Sequence, residues 1–521
     1  MVARSWFAFA LTALASVSCA LTLPPAPAAG GNGGDGSAGN GAPGTGGAIG
    51  GATGGAGRGG AGAGAGTSGT AATGGAVGVA GAGGSGGSGG SAGTAGGSGG
   101  AGNQMWRAPS MIDTGTLPHV AMGGSAAALI WRTLDTAWVI DGRLYKDGGG
   151  WGAATRLQAK FAGNWTDADK PVVAMNARGV ALAAWKQGGN FQQDAASNFR
   201  LPVPPSQGDG WGTPDIGTGF TSGGGVADPA VSMGMNDASD RGLWIYGSTL
   251  YLRAVDFVGV GTAGQGSSIN WAGNEVTCPS TSTNVSGSSM AAWLEKPPSG
   301  PWLVTARQWI PMTPQPPDPV TIGSGDAEMI GCPKIAFDDL GRAIAVWTVT
   351  TGGVSRINYR TYDPTAKWGA AATVIDMGTL AAFNPDLALS TTGEGAIVWE
   401  QATSAGTGAS RDICALHFQL GRGPDANGPQ PTGASAPAAS PRVVVVGPGM
   451  VVDIWTQAGR IFSNTFTMAN AAWGAANPID TARASYTSQN PDIATDGKGR
   501  AIATWESTSG GIPDVLVARF E

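Results

Sequence analysis

Four cysteines and two histidines are the residues of this 521-residue chain best suited to metal or nucleophilic chemistry. The cysteines are Cys19, Cys278, Cys332 and Cys414, and the histidines are His119 and His417. No C-x-x-C pair occurs, and a structural zinc site needs four nitrogen or sulfur ligands at short spacing. No metal or cofactor is therefore expected. Both histidines fall in strand-like segments, which gives a Cys/His nucleophile pair little support. Cys278 and Cys332 each directly precede a proline, in adjacent copies of a repeat described below. Equivalent positions in adjacent repeats lie side by side, so a disulfide is expected if the Cα atoms come within about 7 Å in an oxidising compartment. The other reading is two buried thiols. Cys414 reads as a small buried hydrophobe.

A second set of reactive side chains flanks the same recurring prolines. Lys170, Asp228, Asn384 and Asn490 stand before them, and His119, Lys334, Asp386, Arg442 and Asp492 stand after. If the repeats surround an axis, these residues should line one mouth of a central channel. Lys170, Asp228, Lys334, Asp386, Arg442 and Asp492 are then the candidates for holding a ligand or ion. The competing reading is structural, because an Asx-Pro pair opens a strand through its turn chemistry. Asp338 and Asp496, in D-x-x-G turns, read as turn formers and not as calcium ligands.

The elements that must position these residues are strands. The unit is a proline, alternating apolar residues, a polar glycine-containing turn, small and apolar residues, and a tryptophan. The clearest copies run from Pro333 to Trp347, Pro385 to Trp399 and Pro491 to Trp505, and weaker ones start at Pro118, Pro171, Pro229, Pro279 and Pro441. Ile335 and Phe337, then Ala343, Ala345 and Trp347, alternate at period two, a strand signal. Asp338 to Gly341 between them reads as a hairpin turn. A third strand follows at Ile357 to Tyr362, and a fourth opens at Trp368-Gly369, as at Trp151-Gly152, Trp211-Gly212 and Trp473-Gly474. Four antiparallel strands in a unit of roughly 50 residues describe a β-propeller blade.

The last unit ends on its third strand, Val515 to Phe520, and an orphan fourth strand, Trp106 to Asp113, precedes the first. The fold class expected is therefore all-β. It is an eight-bladed β-propeller of four-stranded antiparallel blades, closed by an N-terminal strand that completes the C-terminal blade. Residues 106–521 resemble secreted bacterial β-propeller repeat proteins with the pattern P-x-I-A-x-D-x-x-G-x-A-x-A-x-W. That resemblance speaks to fold and is nearly silent on activity. The Asp-box spacing of sialidase-type propellers does not match.

Most repeat tryptophans read as packing between blades. Trp138, Trp165, Trp271, Trp302 and Trp309 fall off the pattern and are the better surface candidates. Two insertions, 311–319 and 421–441, read as exposed irregular loops, where binding tends to evolve.

Residues 1–20 read as a signal peptide, with Arg4 before an apolar run too short to span a bilayer. Cys19 is a lipidation candidate in a lipobox-like Ser16-Val17-Ser18-Cys19, although leucine is the usual residue at the place of Ser16. Residues 21–103 form a Gly/Ala/Ser/Thr-rich tether, about half glycine from Gly30 onward. Such a chain has too little apolar side-chain surface to offset its ordering entropy, and its reach is roughly 50 Å. Residues 104–521 are the propeller domain. Net charge is −6 with 12% charged residues and no basic block, which excludes nucleic acid as a partner. The expectation is an exported, monomeric, non-catalytic binding or scaffold module with a protein or glycan partner. It would meet the membrane only through a lipid, as an outer-membrane or cell-surface lipoprotein, or be secreted if Cys19 is unmodified. The alternatives are a polysaccharide hydrolase or lyase at the channel mouth, and a lectin with sites between blades.

Overall fold

The computed structural model describes residues 104–521, with breaks at 159, 161–165, 190–191, 201–210, 212–214, 217–227, 236–239, 249–250, 259–266, 272, 311–316, 326–330, 371–372, 377–378, 407–408, 434–436 and 481–484. Cys19, the residue 1–20 leader, the 21–103 tether, Trp165 and most of the proline-dense insertion lie outside the described residues.

Every regular element among the described residues is a strand, and the strands form eight antiparallel sheets of four or five. The first strands of the sheets are Thr116–Gly123, Ala168–Met175, Ala230–Met235, Glu275–Thr283, Lys334–Phe337, Ala382–Leu389, Ala438–Gly447 and Thr487–Thr495. Each lies against the first strands of the sheets before and after it, and Thr487–Thr495 lies against Thr116–Gly123. The sheet that begins at Thr487 takes its fourth strand from Ser110–Thr114, paired with Asp514–Phe520.

The proline and the tryptophan of the repeat turn out to be partners across a hairpin. In the first sheet Thr116 pairs with Arg132 and His119 with Ile130, so Leu117 and Pro118 together face Trp131. The same two-against-one bulge sets Lys170-Pro171 against Trp185, Cys278-Pro279 against Trp293, Asn384-Pro385 against Trp399, Ser440-Pro441 against Trp455 and Asn490-Pro491 against Trp505. The residue before the proline sits at positive φ in all six, between 48° and 55°. A bulge is one of the few places where a sheet tolerates proline, which has no N–H for the ladder.

Trp131, Trp185, Trp293, Trp347, Trp399, Trp455 and Trp505 are fully buried. They fill clusters that join neighbouring sheets, as Trp347 does with Met290, Val304 and Ile322 of the preceding sheet. Neighbouring backbone must make room: a Cβ on Gly323 would come within 2.5 Å of the Trp347 ring. The indole N–H of Trp185, Trp399 and Trp455 is received by a glutamine two residues on, at Gln187, Gln401 and Gln457, and that of Trp293 by Glu295.

Cys278 and Cys332 are joined by a disulfide, with Cα atoms 5.2 Å apart, and Cys414 is buried and outside any disulfide. The 421–441 insertion departs from the loop expected of it. Gly423–Pro424 and Gln430–Pro431 both pair with the third strand Arg411–Gln419, because the backbone there continues the ladder without the usual tryptophan.

Candidate functional site

The first strands bring together the residues that follow the prolines. Lys334, Asp386, Arg442, Asp492 and His119 stand at equivalent positions on five consecutive first strands, and the first four alternate in charge. Lys334 Nζ is 4.0 Å from Asp386 Oδ1, and His119 Nδ1 is 3.3 Å from Asp492 Oδ2. Arg442 lies within electrostatic reach of both Lys334 and Asp492.

The carboxylates also hold the architecture together. Asp386 Oδ2 accepts the backbone N–H of Val443 at 3.1 Å, and Asp492 Oδ2 accepts that of Val120 at 2.9 Å. Ser280 plays the same part through Oγ, accepting the N–H of Ile335. The acceptor and the charged donor therefore alternate around consecutive strands: Ser280, Lys334, Asp386, Arg442, Asp492, His119. Each acceptor fixes the next first strand at the residue beyond Lys334, Arg442 or His119, so Lys334 stands between Ser280 and Asp386, and Arg442 between Asp386 and Asp492.

Electrostatics follow from this enclosure. Desolvation pulls the Lys334 ammonium below its ordinary value, with Arg442 adding repulsion and Asp386 and Asp492 opposing. Yet 40% of the Lys334 side chain remains exposed. Both hold if protein surrounds a narrow accessible space, where water touches the amine without solvating it as bulk water would. For Asp492 burial favours the neutral acid, but His119, Arg442 and the Val120 N–H outweigh it and hold the carboxyl below its usual range.

The residues before the prolines are not part of this cluster. The bulge turns them away: Asn384 and Asn490 donate to Glu400 and Glu506, each directly after a repeat tryptophan. Those glutamates also receive backbone N–H groups that the bulge of the next sheet releases, from Ser440 to Glu400 and from Leu117 to Glu506. Asp228 pairs with Lys186, and Lys170 is exposed on its own bulge. Neither of these two candidates has a contact that joins it to the five-residue cluster. Asp338 and Asp496 each accept the backbone N–H and the Nε–H of the arginine four residues on, Arg342 and Arg500, which closes their turns. Among the described residues no group of three or more His, Cys, Asp or Glu side chains is arranged to hold a metal ion.

Two further polar centres escaped the sequence reading. His417 is buried between Glu394, 3.2 Å from Nε2, and Asp425, 2.7 Å from Nδ1, and stacks on Phe466 at 4.4 Å. Asp453, fully buried two residues before Trp455, has its pKa pushed up to about 8 by desolvation, against hydrogen bonds from Thr432 and the Asn464 N–H. The signal for it was visible: the equivalent residue is Ala183, Ala291 or Ala345 in other repeats. Of the off-pattern tryptophans, Trp309 is buried and Trp271 is 40% exposed. Trp138 carries the Arg132 guanidinium 4.3 Å above its ring.

Repeated four-stranded antiparallel sheets meeting through their first strands define a β-propeller protein. No protein-family profile matches the chain, and no curated protein does. Among solved structures it is similar to the polysaccharide lyase Uly1, at 11% identity over 79% of this chain and 90% of that one, with a TM-score of 0.47. It is also similar to the Penicillium chrysogenum α-L-arabinanase complexed with arabinobiose, at 13% identity, 68% and 92% coverage and a TM-score of 0.38. A third is the β-propeller domain of the Trilobed protease from Pyrococcus furiosus, at 9% identity, 70% and 98% coverage and a TM-score of 0.39. No residue role passes from these proteins to this chain.

Proposed function

We propose that residues 104–521 form an eight-bladed β-propeller, closed where Ser110–Thr114 completes the sheet of Thr487–Phe520, and that the protein is an exported binding module. Its ligand is an anionic glycan, engaged at the channel mouth by Lys334, Arg442 and His119. The observation that carries this reading is the division of labour at the mouth. Asp386 and Asp492 accept backbone N–H groups of neighbouring strands, while Lys334 and Arg442 lie between these acceptors, and Arg442 spends one of its five N–H groups on the Pro441 carbonyl. Carboxylate or sulfate groups of a polysaccharide suit such donors. Titration calorimetry with a polyuronate and with a neutral glucan tests it. The polyuronate should bind with an affinity that falls with salt, and the Lys334→Gln/Arg442→Gln variant should lose it. Equal binding of the neutral glucan, or an unaffected variant, overturns the reading.

One observation favours a polysaccharide lyase as a second reading. The His119 ring is oriented by Asp492 and is still 36% exposed, so Nε2 is placed to act as a base beside cations that would neutralise a uronate carboxylate. Appearance of unsaturated uronate ends on incubation, abolished in His119→Ala, would establish it; a bound but uncut polymer would leave the binding module. For the N-terminal segment we propose export through residues 1–20, lipidation at Cys19 and a flexible tether over 21–103. Absence of palmitate label on Cys19 in growing cells would replace the lipoprotein with a secreted form.

A further inference from the structure

In four sheets the fourth strand meets the third through an aromatic pair. Trp151 faces Tyr145, Trp368 faces Tyr362, Trp473 faces Phe466, and Trp106 bridges to Phe520. The rings are tilted, with centroids 5.4 to 5.7 Å apart. Each of these indoles also packs on the cluster shared with the preceding sheet, as Trp473 does on the cluster that includes Ala396, Val398 and Ile413. In the sheet that begins at Ala382 the register is kept, but the residue opposite Phe418 is Pro424. A pyrrolidine ring reaches far less distance than an indole, and a cavity of about 270 Å³ remains between this sheet and the one before it. Its floor is carbon and buried: Ile344, Ile397, Leu416 and Phe418. Its rim is open, with Thr373, Gly423 and Pro424 exposed.

We propose that this slot binds a small uncharged aromatic molecule of about indole size, which takes the place that a tryptophan side chain fills in four other sheets. The floor has the composition that receives Trp368 and Trp473, so a flat apolar ring recovers the same contacts. Tyr359 and Gln419 line the rim, but the Tyr359 hydroxyl is hydrogen-bonded with Thr373 and the Gln419 amide N–H donates to the Thr392 carbonyl, so an apolar ring suits the slot better than a polar one. A sugar fits worse, because hydroxyls pressed on the carbon floor would lose their water partners. The Arg360 guanidinium in the wall donates to the carbonyls of Ile322 and Ala370, and no carboxylate lines the slot. The size is just below that of drug-binding pockets, which suits a one- or two-ring ligand.

The test uses the full chain with indole as the probe and methyl glucoside as the comparison, read by calorimetry and by hydrogen exchange. Indole should bind saturably and slow exchange in residues 354–363 and 411–424 alone, while methyl glucoside leaves both unchanged. Pro424→Trp, which supplies the missing ring, should weaken indole binding at least about tenfold and raise the melting temperature. Absence of saturable indole binding, protection mapped elsewhere, equal binding of methyl glucoside, or a folded Pro424→Trp that binds indole as well as the parent overturns the proposal. If Pro424→Trp does not fold, the exchange map on the unaltered chain decides alone. Lys334→Gln should leave indole binding unchanged, which separates this slot from the glycan reading.

Discussion

The backbone N–H of Val120 donates to the side chain of Asp492 across 372 positions of sequence, at 2.9 Å. The bond joins the earliest first strand to the last. Asp492→Ala should therefore destabilise the fold by roughly 1–3 kcal/mol, the cost of leaving that donor without its charged acceptor. The pH dependence has a definite sign. The native carboxyl is held below the ordinary value of 3.8, so its contribution is complete above that value and is lost as pH falls through the lower native one. Urea denaturation from pH 7 down to pH 3 should show the parent converging on the variant.

Asp453 should behave in the opposite way. Its native pKa of about 8 lies above the ordinary 3.8, so the folded chain keeps a proton that the unfolded chain releases. Stability falls as pH rises from near 4 to near 8 and levels off above that. Asp453→Asn removes the titration. It should be more stable than the parent by about 3 kcal/mol or more at pH 8, and nearly equal at pH 4. A parent chain with no such slope would refute the assignment of a buried neutral acid.

His417 titrates with the reverse sense to Asp492. Burial disfavours its charge, but Glu394 and Asp425 outweigh burial and raise its pKa above 6.5. The stabilisation is full below pH 6.5 and is lost as pH rises through the native value. His417→Gln should lose roughly 3 kcal/mol at pH 6, as expected for a broken buried ion pair, and markedly less at alkaline pH. A pH-independent difference in melting temperature would show that the ring acts by packing on Phe466 alone.

Gly323→Ala tests the packing between sheets. The added methyl would sit 2.5 Å from the Trp347 ring, and that ring is fully buried. A loss of about 1–3 kcal/mol is expected from overpacking. Near-neutral stability would mean that the two sheets slide apart more easily than their shared cluster implies.

The strands were legible because period-two alternation and the Pro-to-Trp spacing are local properties of the chain. Ile335, Phe337 and Trp347 declared their hairpin without tertiary information. The bulge was not legible, because proline before a strand and proline inside a bulge look alike in sequence. That ambiguity put Lys170 beside Lys334 and Asp492, although its positive φ turns its side chain away from its neighbour's; Asp228 is instead drawn to Lys186. The acceptor role of Asp386 and Asp492 depends on a backbone N–H from another repeat, and no spacing rule encodes it. His417 was passed over because its partners Glu394 and Asp425 are 23 and 8 residues distant and meet it only across paired strands. The indole-sized slot was not legible from the loop reading of 421–441, because only the register of Phe418 with Pro424 shows a proline where other sheets carry a tryptophan.

Ser110–Thr114 lies beside Asp514–Phe520, and Met105 and Glu521 exchange backbone hydrogen bonds at 3.0 and 3.2 Å. A single residue, Gly115, joins this strand to Thr116–Gly123 of the next sheet, and its N–H donates to the Pro513 carbonyl at 2.7 Å. Removing the chain before Gly115 would strip one strand from the sheet of Thr487–Phe520 and turn Asp514–Phe520 into a bare edge, open to pairing with any extended peptide.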